Sequence, residues 1–78
     1  MSRRTRSMSW FEGKILEVLS KTRQTTTYIA LSALSVGEGI RNLQEQFHFD
    51  IALQYLISKR LITQHKDHDG FTIYKLAA

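Results

Sequence analysis

Between Leu56 and Leu76 the apolar pattern changes period with no spacer. Ala52, Leu53, Leu56 and Ile57 recur at helical spacing and Asp50 offers an N-cap oxygen ahead of them, so a helix is predicted from Asp50 to about Arg60. Lys59 and Arg60 fall in its last turn, where cations suit the negative end of the helix dipole. From Leu61 the chain reads as two candidate strands, Leu61–Lys66 and Phe71–Leu76, flanking Asp67-His68-Asp69-Gly70. Asp-Gly is a strong hairpin signal, because glycine takes the positive φ that a tight turn requires. A lone two-stranded hairpin is marginal in water. The hairpin and the helix that feeds it must therefore bury their apolar sides in one common core.

The rest of the chain has to complete that core with helices. Ser9-Trp10-Phe11-Glu12 has the form of a capping box, with Ser9 as N-cap and Glu12 able to reach back. Phe11, Ile15, Val18, Leu19 and Thr22 then repeat at helical spacing, which predicts a first helix ending near Arg23. Thr25-Thr26-Thr27 breaks the pattern and can cap a second, short helix over Tyr28–Ser35. Val36-Gly37-Glu38-Gly39 reads as a turn. A third helix is predicted over 38–48, with Ile40, Leu43, Gln44 and Phe47 on its inner face and Arg41, Asn42, Glu45 and Gln46 outside, closed by His48-Phe49. At 78 residues without cysteine, the chain supports one small core with no disulfide or thiolate chemistry. The expected organisation is a flexible basic arm over 1–8 and a single domain over 9–78, mainly α with a small β-hairpin.

From Tyr28 onward this pattern resembles a winged helix-turn-helix domain, similar to the PadR and MarR types of bacterial regulator. The resemblance is carried by Tyr28-Ile-Ala-Leu-Ser-Ala-Leu-Ser35, Gly39-Ile-Arg-Asn-Leu43, Ala52-Leu53-x-x-Leu56-Ile-Ser-Lys-Arg-Leu-Ile62 and the closing Ile73-Tyr74-Lys75-Leu76. It covers roughly 50 of the 78 residues. Arg60 stands where many such domains have glycine. The resemblance implies about four helices plus a two-stranded wing, and binding to double-stranded DNA as a dimeric, sequence-specific transcriptional regulator. Two registers are open. In the preferred one, helix 38–48 supports and helix 50–60 reads the DNA, because only the latter leads straight into the wing. In the other, 28–35 and 40–47 form the helix-turn-helix pair.

Charge agrees with a polyanionic partner, but unevenly. The net charge is +4, and removing Arg3, Arg4 and Arg6 leaves +1. Base edges are read by side chains such as Gln, Asn and Arg. The candidate DNA-binding residues are Gln54, Tyr55, Ser58 and Lys59 on the last helix, His65, Lys66 and His68 on the wing, Arg41 in the second register, and Arg3, Arg4 and Arg6 on the arm.

Other chemistry finds little footing in the sequence. His65 and His68 beside Asp67 and Asp69 sit on a tight turn whose neighbours point apart, and no cysteine offers a structural zinc ligand, so no metal and no cofactor are expected. Gly37-Glu38-Gly39 lacks the residues of a phosphate loop, and no serine is marked as a nucleophile, so no enzyme activity is expected. No apolar run approaches the roughly 20 residues of a membrane span, and a cytoplasmic location is expected. The rival to DNA binding is a winged protein-interaction module. Tyr55, Ile57 and Trp10 are the candidate contact residues, and a homodimer through the first helix would use Trp10, Leu16 or Leu19.

Overall fold

A computed structural model describes residues 5–21, 26–36 and 40–77. The described residues form a small mixed α/β fold of three helices and a three-stranded antiparallel sheet. The elements run α1 (Met8–Lys21), β1 (Thr26–Thr27), α2 (Tyr28–Val36), α3 (Leu43–Ser58), β2 (Ile62–Lys66) and β3 (Thr72–Leu76). Arg3, Arg4, the end of the first helix at Thr22–Arg23, Thr25 and the expected turn at 37–39 lie outside the described residues.

α1 buries Phe11, Ile15, Val18 and Leu19, the inner face its spacing predicts. Its cap lies two residues earlier than expected. The Ser7 hydroxyl accepts from the Trp10 backbone N–H at 3.1 Å and the Ser7 carbonyl accepts the first helical bond from Phe11, so Ser7, not Ser9, opens the helix. At α2 the Thr27 hydroxyl accepts from the Ala30 N–H at 3.2 Å, the capping role expected of the threonine run.

The two helices predicted over 38–48 and 50–60 are one, which reduces the expected count of about four helices to three among the described residues. Asp50 is not an N-cap. Its carboxylate turns sideways to accept from the Tyr28 hydroxyl and from Gln46 Nε2, while the backbone passes through in helical form. No proline or glycine interrupts the segment, so nothing in it forces a break. Asn42 is the true N-cap, extended in backbone, its side chain accepting from the Glu45 N–H at 2.8 Å. His48 and Phe49 sit mid-helix, and Phe49 is fully buried at the centre of the core, edge-to-face with Phe11 at 5.7 Å and Tyr28 at 5.4 Å.

Starting the helix at Leu43 also inverts the expected faces of its first half. Glu45 points inward with Phe49, Ala52, Leu53 and Leu56, whereas Leu43, Gln44 and Phe47 point to solvent. Those four apolar side chains set the helical phase. Extended one turn back, that phase lands on Glu45.

α3 ends in a Schellman motif. The Arg60 N–H donates to the Ile57 carbonyl and the Leu61 N–H donates to the Leu56 carbonyl, both at 3.0 Å. Arg60 is left-handed, with φ of 61°, the backbone glycine would take most readily. This turn aims the chain directly into β2. β2 pairs β3 from Ile62↔Leu76 to Lys66↔Thr72. At the tip, the Gly70 N–H donates to the Asp67 carbonyl at 3.1 Å with Gly70 at φ of 85°, and the Asp67 carboxylate accepts from the N–H groups of Asp69 and Phe71. A third strand was not expected. Thr26↔Tyr74 and Thr27↔Ile73 add β1 to the other edge of β3, so β3 is central and Tyr74 is buried. Two residues are too short for a periodic signal, which is why the strand is invisible in the sequence.

Two stability outcomes follow from this packing. Phe49→Ala should destabilise the fold by about 3–5 kcal/mol, the scale for an aromatic lost from a packed core, measured by urea denaturation. Arg60→Gly should stabilise by about 0.5–1 kcal/mol, since relief of the left-handed strain exceeds the added freedom of the unfolded chain, and a lower Tm would contradict that account.

Candidate functional site

The most unusual polar arrangement surrounds Glu45, whose side chain is 0% exposed inside an otherwise apolar core. It is held from two directions. Arg6 donates from its backbone N–H at 2.8 Å, from Nε at 2.9 Å and from a terminal guanidinium nitrogen at 2.7 Å. Arg41, four residues upstream, donates from its backbone N–H at 3.1 Å and from its guanidinium at 3.0 Å. Both carboxylate oxygens are thus occupied by charge-assisted bonds, the condition under which a buried charge is tolerated. The Arg6 bonds hold the Glu45 carboxyl well below its ordinary 4.5. Burial opposes them, and Arg41 adds to them.

Arg6 is expected on a flexible arm, but the arm is fastened at that residue. Besides the Glu45 bonds, its guanidinium lies 4.9 Å from the Trp10 ring centroid and its carbonyl meets His48 Nδ1 at 2.8 Å. Arg41 is exposed at its edges but committed to Glu45. These two candidate DNA contacts therefore share their charge with a buried acid. Arg3 and Arg4 lie outside the described residues. Glu45 is expected to face solvent, and the phase of Phe49, Ala52, Leu53 and Leu56 is the signal in the sequence that turns it inward.

A second cluster pins α3 to α2. The Tyr28 hydroxyl donates to Asp50 and accepts from Gln46, and Gln46 also donates to Asp50 at 3.0 Å. Burial first, and then the neighbouring Asp50 carboxylate, push the Tyr28 phenol up to where it keeps its proton and remains a donor.

The outer face of α3 carries the remaining helix candidates. Gln54, Tyr55 and Ser58 are exposed on it, and with Phe47, Asp50 and Ile51 they line a shallow groove of about 560 Å³. Lys59, just past the helix, lies over the Tyr55 ring. The face is more apolar than the sequence reading allowed. Leu43, Phe47, Ile51 and Tyr55, four residues apart, are 88%, 63%, 39% and 45% exposed. The helix itself holds no lysine or arginine and two acids, Glu45 and Asp50.

Cations resume beyond it. Lys59, Arg60, Lys66 and Lys75 against Asp67 and Asp69 leave the segment 59–77 at +2 by count. His65, Lys66 and His68, the hairpin candidates, are all exposed. His65 Nε2 lies 3.0 Å from the Thr63 hydroxyl. Asp67 spends its carboxylate on the turn, which reduces its opposition to an anion there. Of the residues proposed for dimerisation through α1, Leu19 is buried in the core, Leu16 packs at its margin, and Trp10 is exposed.

Among the described residues, no helix is long and apolar enough to cross a membrane. No protein-family model matches the chain, and no curated protein or solved structure matches it either.

The Glu45 cluster makes two measurable outcomes. Glu45→Ala should cost about 3 kcal/mol in urea denaturation, because it strips two arginines of their shared partner. A carboxyl with a depressed folded-state pKa contributes stability that is complete above its unfolded value and is lost as pH falls through the folded one. Thermal melts should therefore lose Tm progressively below about pH 4.5. Glu45→Gln should start lower at neutral pH and show a flatter acid limb.

Proposed function

We propose that the chain is a winged-helix module that grips the backbone of double-stranded DNA with its hairpin and the turn feeding it, while the outer face of α3 serves assembly instead of base reading. The order α1–β1–α2–α3–β2–β3, with the hairpin following the third helix directly and β1 closing the sheet, supports the winged-helix reading. Of the two registers, the preferred pairing of 38–48 with 50–60 is removed because these are one helix. What remains is α2 followed by α3.

The separation of charge carries the functional reading. Phosphate binding needs cations, and the segment 59–77 concentrates Lys59, Arg60, Lys66 and Lys75 with His65 and His68. Base reading by α3 would place the exposed acid Asp50 and no lysine or arginine of the helix against a polyanion, with leucine and phenylalanine at its most exposed positions. That arrangement would repel phosphates and desolvate apolar side chains for few hydrogen bonds. Gln44 and Gln54 are the amides available to bases on that face. The proposed binding is therefore dominated by backbone contacts and tolerant of sequence.

The same apolar stripe favours a second reading, a winged module that docks proteins and does not engage DNA. A fluorescence-anisotropy titration against a generic duplex between about 50 mM and 200 mM salt separates the two. The expected result is low-salt binding that weakens steeply with salt. Lys59→Ala combined with Lys66→Ala should reduce the log–log slope by up to about 2, and Gln54→Ala should leave affinity unchanged. No binding at the lowest salt leaves the protein-docking reading. Loss of binding to a selected site on Gln54→Ala restores base reading by α3.

A further inference from the structure

We infer that the outer face of α3 pairs with the same face of a second copy, the two helices crossing antiparallel about a two-fold axis between Phe47 and Ile51. This rests on the reading that α3 does not enter the DNA groove. The stripe Leu43, Phe47, Ile51, Tyr55 is an i, i+4 ridge, and its two ends are its most and third most exposed members. Such ridges pack into one another when helices cross at about −50°, the commonest packing class in globular proteins.

The stripe is complementary to itself when reversed. With the axis near the level of residue 49, Phe47 meets the partner's Ile51 and Leu43 meets the partner's Tyr55. Gln44 and Gln54 flank the stripe on opposite edges, so the amides stay at the two hydrated rims of the pairing while the apolar ridge is covered. Asp50 lies at the rim, one of its oxygens bonded to Tyr28 and Gln46, so its charge stays at the hydrated edge of the pairing.

The area is sufficient as well. The four stripe side chains expose roughly 400 Å² per copy on the scale of large apolar side chains, the size of the largest patch a typical monomer tolerates. With the flanking Gln44, Gln54 and Ser58, two copies reach about 1,000 Å² in total, the lower bound for a specific interface. A second copy is therefore the occupant whose shape and polarity the face itself supplies.

Light scattering over a concentration series tests this. The mass should rise from 9.1 kDa to twice that value. Phe47→Glu should hold it at the monomer value with an unchanged circular-dichroism spectrum, since Phe47 is exposed and outside the core. Trp10→Glu should leave the dimer intact. The chain holds no cysteine, so engineered ones report pairing directly. On oxidation, a mixture of Leu43→Cys and Tyr55→Cys chains should cross-link at least several-fold more than either alone. A monomer at millimolar concentration overturns the inference, as does a dimer lost on Trp10→Glu but kept on Phe47→Glu, or same-site cross-linking at residue 43. The duplex titration judges the DNA reading separately through Lys66→Ala alone, which lies on the hairpin away from this face, whereas Lys59 lies over the Tyr55 ring.

Discussion

A buried carboxylate bound to two arginines organises this small protein. Glu45 takes its place in the core beside Phe49, Ala52 and Leu53, and a charge in that position is sustained only while Arg6 and Arg41 complete its hydrogen bonds. Three parts of the chain are joined by it: the segment that enters α1, the segment that enters α3, and the core side of α3 itself. Because Glu45 faces inward, the side chains on the opposite side of the same turn face outward. Leu43 and Phe47 are exposed because Phe49, Ala52, Leu53 and Leu56 fix the phase of the whole helix, and the two arginines make that phase tolerable at Glu45.

The other end of α3 is governed by backbone geometry. Arg60 in the left-handed conformation closes a Schellman motif and turns the chain into β2 within two residues. Helix direction and hairpin direction are thereby coupled, and the short β1 at the far edge of β3 ties the hairpin back to the start of α2. The basic residues of the hairpin are carried on a frame held by β1 along β3 and by the α3 turn at the start of β2. That is the property a phosphate-gripping element needs under the proposed function, since contacts to an extended polyanion gain from side chains whose backbone is already ordered.

Much of the architecture was legible in the sequence because it rests on local rules. The α1 stripe, the helical nature of Tyr28–Val36, the inner face Ala52-Leu53-Leu56 and the Asp-Gly hairpin each depend on spacing or on the φ of one residue. What was misread depended on partners far away in the chain. Asp50 has the chemistry of a cap, but Tyr28, 22 residues earlier, gives its carboxylate a better use within a continuous helix. Ser9 and Glu12 form a good capping box on paper, yet Ser7 takes the role once Arg6 is anchored on Glu45.

The candidate site divides in the same way. The hairpin residues His65, Lys66 and His68 and the helix residues Gln54, Tyr55 and Ser58 are exposed, an expectation that alternation and amphipathicity alone support. The sequence by itself determined the presence of helices, a helix joined straight to a hairpin, and a cation-rich C-terminal segment. Only the tertiary structure decided that Arg6 and Arg41 spend charge on Glu45 and that α3 is one helix with an apolar outer face. The reason is physical: a period of 3.6 fixes which residues share a face, but which face turns inward is set by the total of all contacts. Here Phe49, Ala52, Leu53 and Leu56 set the phase that turns Glu45 inward, and two arginines, one of them 39 residues away, satisfy the charge that this buries.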